Sequence, residues 1–237
     1  MTSEATLLLR LAGPTQAWDV HRAQPDLTRR PIKRDLSPER LAPTNTGLAG
    51  LLGSALGRYR IAGPPRHARP ELADLLALDI VVRADQPGRA RTEFRTTRRR
   101  TQSRMIVQPL IESVLDDAVF LAGIGGDRAF LDQIAAALHA PRWALFLGRR
   151  EYPPTYPLLL GVVDGDPVDI LRAHDWIAAP WYRRTQPRRT EARLYRPRDQ
   201  RRATELGYIQ IDNPDGYPDR ISPGAWIDAL IPPTRKG

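Results

Sequence analysis

Cysteine is absent from the 237 residues, and lysine occurs only as Lys33 and Lys236. Without thiols there is no disulfide, no thiolate zinc site and no cysteine nucleophile, and the composition suits a reducing compartment. The four histidines, His21, His67, His139 and His174, never form an i,i+4 pair, so a histidine-built metal site is not expected. No Gly-Lys-Ser/Thr follows the Gly-rich stretch near residue 50, which removes a phosphate-binding P-loop, and its glycine spacing is not that of a dinucleotide fingerprint. Asp116 and Asp117 are adjacent, which puts them on opposite faces of a strand rather than around one ion. No nucleophile, base and orienting group stand out as a set. Long apolar runs are missing too: Arg10 interrupts the early one, residues 1–6 carry Glu4 and no basic side chain, and nothing approaches the about 20 residues of a membrane span. The expectation is a soluble cytoplasmic protein with no catalytic residues, metal, cofactor or membrane contact.

What the chain does have is arginine. The formal net charge is +9 and the isoelectric point lies near 10.5. An excess of this size, with no apolar anchor for a lipid surface, favours a nucleic-acid partner. Two clusters concentrate it: Arg95, Arg98, Arg99, Arg100 and Arg104, followed at once by Met105, Ile106 and Val107, and the 183–202 segment, whose only acids are Glu191 and Asp199. Arg149, Arg150 and Tyr152 precede Pro153-Pro154, a pairing of guanidinium and aromatic ring that suits phosphate contact and base stacking.

The periodicity predicts alternating strands and helices. Residues 5–11 read as a buried strand, and residues 19–43 as an irregular basic loop. Leu48, Leu51, Leu52, Ala55 and Leu56 then fall on one helical face, with Thr44 or Thr46 as the N-cap and Gly57 as the stop. Gly50 and Gly53 inside that helix each cost about 1 kcal/mol relative to alanine, which points to close approach of another backbone along a stripe without side chains. Residues 75–83 read as a strand, 85–88 as a turn and 92–96 as a returning strand. Residues 119–124 make a further buried strand. Asp127 caps a helix carrying Phe130, Leu131, Ile134 and Leu138, Pro141 ends it, and 143–147 is the next predicted strand. A short helix at 167–174, a strand at 206–211 and a Pro-rich tail anchored by Trp226 complete the reading. The order β-α-β-β-α-β is that of an α+β, ferredoxin-like (RRM-type) domain. It is predicted over residues 1–165, with a hairpin insertion at about 84–116 and a C-terminal extension, 166–237, packed on it.

Four motifs carry a resemblance. Leu8-Leu9-Arg10-Leu11-Ala12-Gly13-Pro14-Thr15-Gln16-Ala17-Trp18, Pro43 to Gly57, Asp117 to Asp127 and Pro141 to Pro154 occur in the order of the CasD family, the fifth Cas subunit of the type I-E CRISPR Cascade, and the chain resembles that family over about residues 7–154. Three departures stand out. Asn45 replaces a family lysine, Arg150 and Tyr152 replace a lysine and a cysteine, and Glu112-Ser113-Val114-Leu115 stands where an aromatic element is common. The resemblance implies a non-catalytic subunit that binds the 5′ handle of CRISPR RNA and caps the backbone subunits. It also implies contact with the large subunit, and reach to target DNA through the complex. It implies RNA-binding roles for Gln16 and Trp18, for Asn45, Thr46, Gly47 and Gly50, for Arg95, Arg98, Arg99, Arg100 and Arg104 with Met105 or Ile106 against a splayed base, and for Arg149, Arg150 and Tyr152. In related type I-C complexes the equivalent subunit cuts repeat RNA with Tyr, His and Lys side chains. His21 and Tyr152 are present here without an accompanying lysine. A metal-independent repeat endoribonuclease and a free-standing RRM-like RNA-binding protein are the two rival readings.

Overall fold

The computed structural model describes residues 5–18, 41–58, 72–100, 105–197 and 203–218. The first buried strand, β1 (Ala5–Ala12), has an apolar side chain wherever it faces the larger core, at Leu7, Leu9 and Leu11. A short β2 (Thr15–Gln16) follows, then helix α1 (Asn45–Leu56). The Thr44 hydroxyl caps α1 by accepting from Gly47 N, and Gly57 ends it at φ 71°, a left-handed turn that favours glycine. Helix α2 (Ala73–Leu76) leads into β3 (Asp79–Gln86). The apolar run predicted as one strand from 75 is therefore a helical turn followed by a strand. Leu72 and Leu75 pack against the bare face of α1 at Gly53, where a Cβ would meet Leu72 at 2.6 Å.

Strands β4 (Arg89–Arg100) and β5 (Met105–Asp116) pair along their whole length, and β6 (Val119–Gly126) returns to the core. Asp127 caps α3 (Arg128–His139), its carboxylate accepting from Phe130 N at 2.9 Å. Then come β7 (Leu159–Asp164), α4 (Pro167–Ala173), α5 (Pro180–Arg184), β8 (Arg189–Arg196) and β9 (Thr204–Asp212). The fold is a mixed α/β one built on antiparallel sheets. The larger has the order β7-β1-β6-β3-β8-β9, and the smaller the order β2-β5-β4. Each helical crossover skips a strand: β1 reaches β3 through α1 and α2 with β6 between them, and β6 reaches β7 through α3 with β1 between them.

One predicted strand is corrected. Residues 143–147 form no strand; the edge beside β1 is filled by 159–164. The run at 143–147 is still an apolar anchor, since Leu145 and Leu147 are buried. Its backbone is satisfied elsewhere, with Leu147 O accepting from Ala17 N at 3.0 Å and Leu147 N donating to Tyr152 O at 2.7 Å. Gly148, at φ 87°, turns the chain directly against the Ala17 carbonyl, where a side chain would not fit. The tail after residue 218, Trp226 included, lies outside the described residues, as does the loop at 19–40 with His21.

The large sheet is covered on both faces. On one face Leu48, Leu51, Leu52 and Ala55 of α1 and Leu131, Ile134 and Leu138 of α3 close over the odd-numbered leucines of β1 and over Phe120, Ala122 and Ile124 of β6. On the other, Leu8, Val81, Leu121 and Leu194 meet Leu171 of α4. β3 alternates accordingly: Ile80, Val82 and Ala84 face the helices, while Val81, Arg83 and Asp85 face α4 and the segment after it. Arg83 and Asp85 are both almost fully buried and make a bidentate pair, Nε to Oδ1 at 2.6 Å and Nη2 to Oδ2 at 2.7 Å. The other guanidinium hydrogens go to the carbonyls of Leu171 (2.5 Å), His174 (2.7 Å) and Asp175 (2.7 Å). All five guanidinium donors are thus used. Ile177 N donates to Asp85 Oδ2, and Trp176 Nε1 to the Asp85 carbonyl, both at 2.8 Å. Burial pushes the Asp85 carboxyl up, against the pull of the Arg83 guanidinium.

Removing one partner leaves a buried charge uncompensated. Arg83→Ala and Asp85→Ala should each destabilise by about 3–5 kcal/mol in urea unfolding, and Arg83→Met/Asp85→Leu together should cost less than either. Additive losses in the double variant would show that the pair is not one unit.

Candidate nucleic-acid interface

The second sheet is a long hairpin rooted on the first. Its register runs from Arg89↔Asp116 at the root to Arg100↔Met105 at the far end, and β2 adds Thr15↔Asp116 and Gln16↔Leu115 at the root. Residues directly opposite one another share a face. Phe94↔Ile111, Arg98↔Val107 and Arg100↔Met105 therefore place Phe94, Met105 and Val107 on the same face as Arg98 and Arg100. Phe94, Met105 and Val107 are 69%, 59% and 60% exposed. Arg95 and Arg99, on β4, and Ile106, on β5, fall on the opposite face. Met105 and Ile106 are thus not alternatives for one position. Arg104 lies outside the described residues. Phe94 and Val107 were missed as contact residues in the sequence. Phe94 stands alone among Thr and Arg on β4, and Val107 follows Met105 and Ile106 in an apolar run that also reads as a strand packed on a core.

The root is held by an acid–base cluster. Glu93 and Glu112 stand directly opposite each other on β4 and β5, a like-charge placement that is destabilising unless each finds a partner. Arg149 makes an ion pair with Glu112, and the Tyr152 hydroxyl donates to Glu93 Oε2 at 2.7 Å. Arg91 donates from Nη2 to Glu93 Oε1 at 3.1 Å and from Nε to Asp116 Oδ2 at 2.5 Å. The Thr15 hydroxyl donates to Asp116 Oδ1 at 2.9 Å. The Arg91 guanidinium holds the Asp116 carboxyl below its ordinary value of 3.8.

This cluster pairs Arg149 and Tyr152, both expected at RNA, with the hairpin's glutamates. Both side chains clamp the hairpin to the turn at 148–152, and Tyr152 packs with Ala17 and Val114. Arg150, beside them, is exposed. Gln16 and Trp18 are also drawn inward. Gln16 Nε2 donates to the carbonyls of Leu11 (3.2 Å) and Ala118 (2.7 Å), and Trp18 Nε1 donates to Gln16 Oε1 at 2.8 Å. Both are buried, at 0% and 2% exposure, so neither offers a polar atom or ring face to a polynucleotide in this conformation.

The N-terminal end of α1 divides likewise. Asn45 Nδ2 donates to Leu76 O at 3.3 Å. Gly47 lies under the Trp18 ring, where a Cβ would sit 2.8 Å from Cε3. The close neighbours of these two glycines are side chains, Trp18 at Gly47 and Leu72 at Gly53, and a backbone approaches α1 at its C-terminal end, where Trp143 N donates to Ser54 O at 3.2 Å and Arg142 N to Ala55 O at 2.9 Å. Gly50 differs, with nothing within 4 Å of the position of its Cβ, and Thr46 beside it is half-buried.

A mixed α/β fold on antiparallel sheets, one of them a long arginine-rich hairpin, defines the class of protein. The particular family follows from comparison: residues 6–220 match the family described as CRISPR-associated protein (Cas_Cas5), and the chain belongs to that family. It is 29% identical over 188 residues, 74% of this chain and 80% of the relative, to the CRISPR system Cascade subunit CasD of Escherichia coli (strain K12). Among solved structures, a chain of a CRISPR RNA-guided surveillance complex aligns with TM-score 0.57 and 25% identity, over 91% of this chain and 95% of that one. A crystal structure of a Cas protein aligns with TM-score 0.51 and 28% identity, over 89% and 95%.

If Arg149 and Tyr152 are clamp residues, substituting them should cost stability. Arg149→Ala should lower it by about 1–3 kcal/mol and Tyr152→Phe by about 1 kcal/mol, read by urea denaturation. Variants as stable as the parent that nonetheless lose RNA affinity would return both side chains to the RNA.

Proposed function

We propose that this chain is the subunit of a type I-E CRISPR surveillance complex that binds the 5′ handle of the CRISPR RNA without cutting it. The single observation that carries this reading is one face of the hairpin, where Phe94 beyond the root cluster and Met105 and Val107 toward the far end lie exposed on the face that the register shares with Arg98 and Arg100. An apolar wedge flanked by guanidinium groups holds a base out of its stack while offsetting the charge of the neighbouring phosphates. The likeness to the Cascade subunit CasD and to a chain of an RNA-guided complex supports CRISPR RNA as the ligand. The strand order β7-β1-β6-β3, with two helical crossovers on one face, supports the ferredoxin-like assignment, and the hairpin is its thumb. The open side of α1 at Gly50 is the place where a sugar-phosphate chain approaches the core most closely. The basic end of the hairpin also meets the first backbone subunit, and the large subunit binds alongside. Tyr152 supports the non-catalytic part, because its hydroxyl already donates to Glu93 and the ring is nearly enclosed.

Handle RNA should bind with a log–log salt slope of about −0.7 per phosphate neutralised. Replacing Arg98, Arg99, Arg100 and Arg104 with alanine should shrink that slope by up to about 3, and Phe94→Ala should cost about 1–3 kcal/mol of affinity. The labelled RNA should remain full length with or without magnesium. An unchanged slope would move the arginines to protein contacts. Defined products that vanish in Tyr152→Phe would make the chain a ribonuclease.

A further inference from the structure

A second surface has the same two ingredients and lies outside the hairpin. From Trp176 to Thr190 the chain carries four arginines and no acid. Within it, α5 exposes Trp181 to 54%. Tyr182 meets Trp181 edge-on at 5.8 Å between ring centroids and meets the buried Trp176 edge-on at 6.1 Å, so the exposed indole is buttressed by an aromatic row that runs into the protein. Arg183 belongs to that scaffold: its Nε donates to Ala178 O at 2.9 Å, its Nη2 to Trp176 O, and its guanidinium lies 5.8 Å over the Trp176 ring. Arg184 and Arg188 are exposed, with no ion pair among the described residues.

The 213–217 turn is tied to this segment. Tyr217 N donates to Gln186 O at 3.1 Å, Arg188 N donates to Tyr217 O at 2.8 Å, and the buried Asn213 donates from Nδ2 to the carbonyls of Arg183 (2.8 Å) and Pro187 (3.1 Å). These bonds fix the 45%-exposed Tyr217 beside the arginines, and Asp215 is the one carboxylate of that turn. The surface also has a fixed relation to the hairpin. Gln86 accepts from Ala179 N, just before α5, at 3.2 Å and donates to Asp117 O, just after β5.

We propose that Trp181, Arg184, Arg188 and Tyr217 form a second nucleic-acid contact, one that takes a single-stranded segment with a base stacked on Trp181 and its phosphates on the two arginines. An acidic protein surface would answer the charge but not the exposed, buttressed indole among guanidiniums, which is the arrangement that stacks bases of any sequence. Base stacking and phosphate contact are common to both polymers, so single-stranded RNA and single-stranded DNA are both sources of this ligand.

The test uses the full chain with fluorescein-labelled 15-nucleotide oligouridylate and oligothymidylate at low salt, read by anisotropy. Each probe also carries a photoreactive thio-base, and cross-linked peptides are mapped by mass spectrometry. Trp181→Ala should weaken binding by about 5- to 150-fold, and Trp181→Phe should retain most of it. Arg184→Glu/Arg188→Glu, which removes no buried group, should weaken it with an unchanged melting temperature, and carries the test if Trp181→Ala fails to fold. Cross-links should map to the peptides holding Trp181 or Tyr217, and the stronger probe identifies the natural source. Wild-type affinity in the arginine pair variant, or cross-links confined to 89–116, would overturn the proposal. So would loss of a protein partner without loss of oligonucleotide binding. The hairpin reading fails separately, if the hairpin arginine variant keeps handle RNA while the Trp181 variant loses the oligonucleotides.

Discussion

The buried Arg83–Asp85 pair is the constraint on which the arrangement of the molecule depends. Two residues apart on β3, both point away from the helical layer, and between them they gather the chain from Leu171 to Ile177. A guanidinium removed from water is tolerable only with its donors matched, and here each of the five is. The next residue, Gln86, continues the same function, joining Ala179 to Asp117. In four residues β3 thus fixes the C-terminal segment against the sheet and sets both ends of the hairpin relative to it. Stability and the placement of the hairpin are linked at this point, because the same strand holds the C-terminal segment and the residue that follows the hairpin.

The hairpin root shows the same economy. Two glutamates opposite each other on paired strands would repel, and the cluster of Arg91, Arg149 and Tyr152 makes that repulsion depend on the correct docking of the hairpin. If the clamp opened, Glu93 and Glu112 would each lose a partner in a half-dry environment. The charges that hold the root are therefore paired internally, while further out the register puts Arg98 and Arg100 on the strand face that carries the exposed Met105 and Val107. This division between an anchored base and an arginine-rich far end is the arrangement on which the proposed wedge into a polynucleotide relies.

Much of the fold was legible because local rules write it. Thr44, Gly57 and Asp127 cap their helices through bonds within a few residues, and the strands β1, β6 and β9 announce themselves by apolar content. The strand at 143–147 was misread because Leu145 and Leu147 bury without pairing, and the edge beside β1 goes instead to 159–164, a choice made by tertiary packing. Arg149 and Tyr152 were recognisable as a functional-looking pair, but their partners lie 37 and 59 residues away in sequence. Nothing local distinguishes an arginine that clamps a glutamate from one that waits for a phosphate. Gln16 and Trp18 were likewise visible as a motif, while their burial follows from β2, a strand of two residues that no periodicity could reveal.

The most direct measurement of the central claim is to purify the tagged chain from cells carrying its own CRISPR array and sequence the RNA that accompanies it. A handle-binding subunit should bring down reads that share one repeat-derived 5′ end followed by varied spacers, together with further Cas subunits in the same particle. Fragments of messenger RNA with no common 5′ end, or a chain that purifies alone and free of RNA, would contradict it.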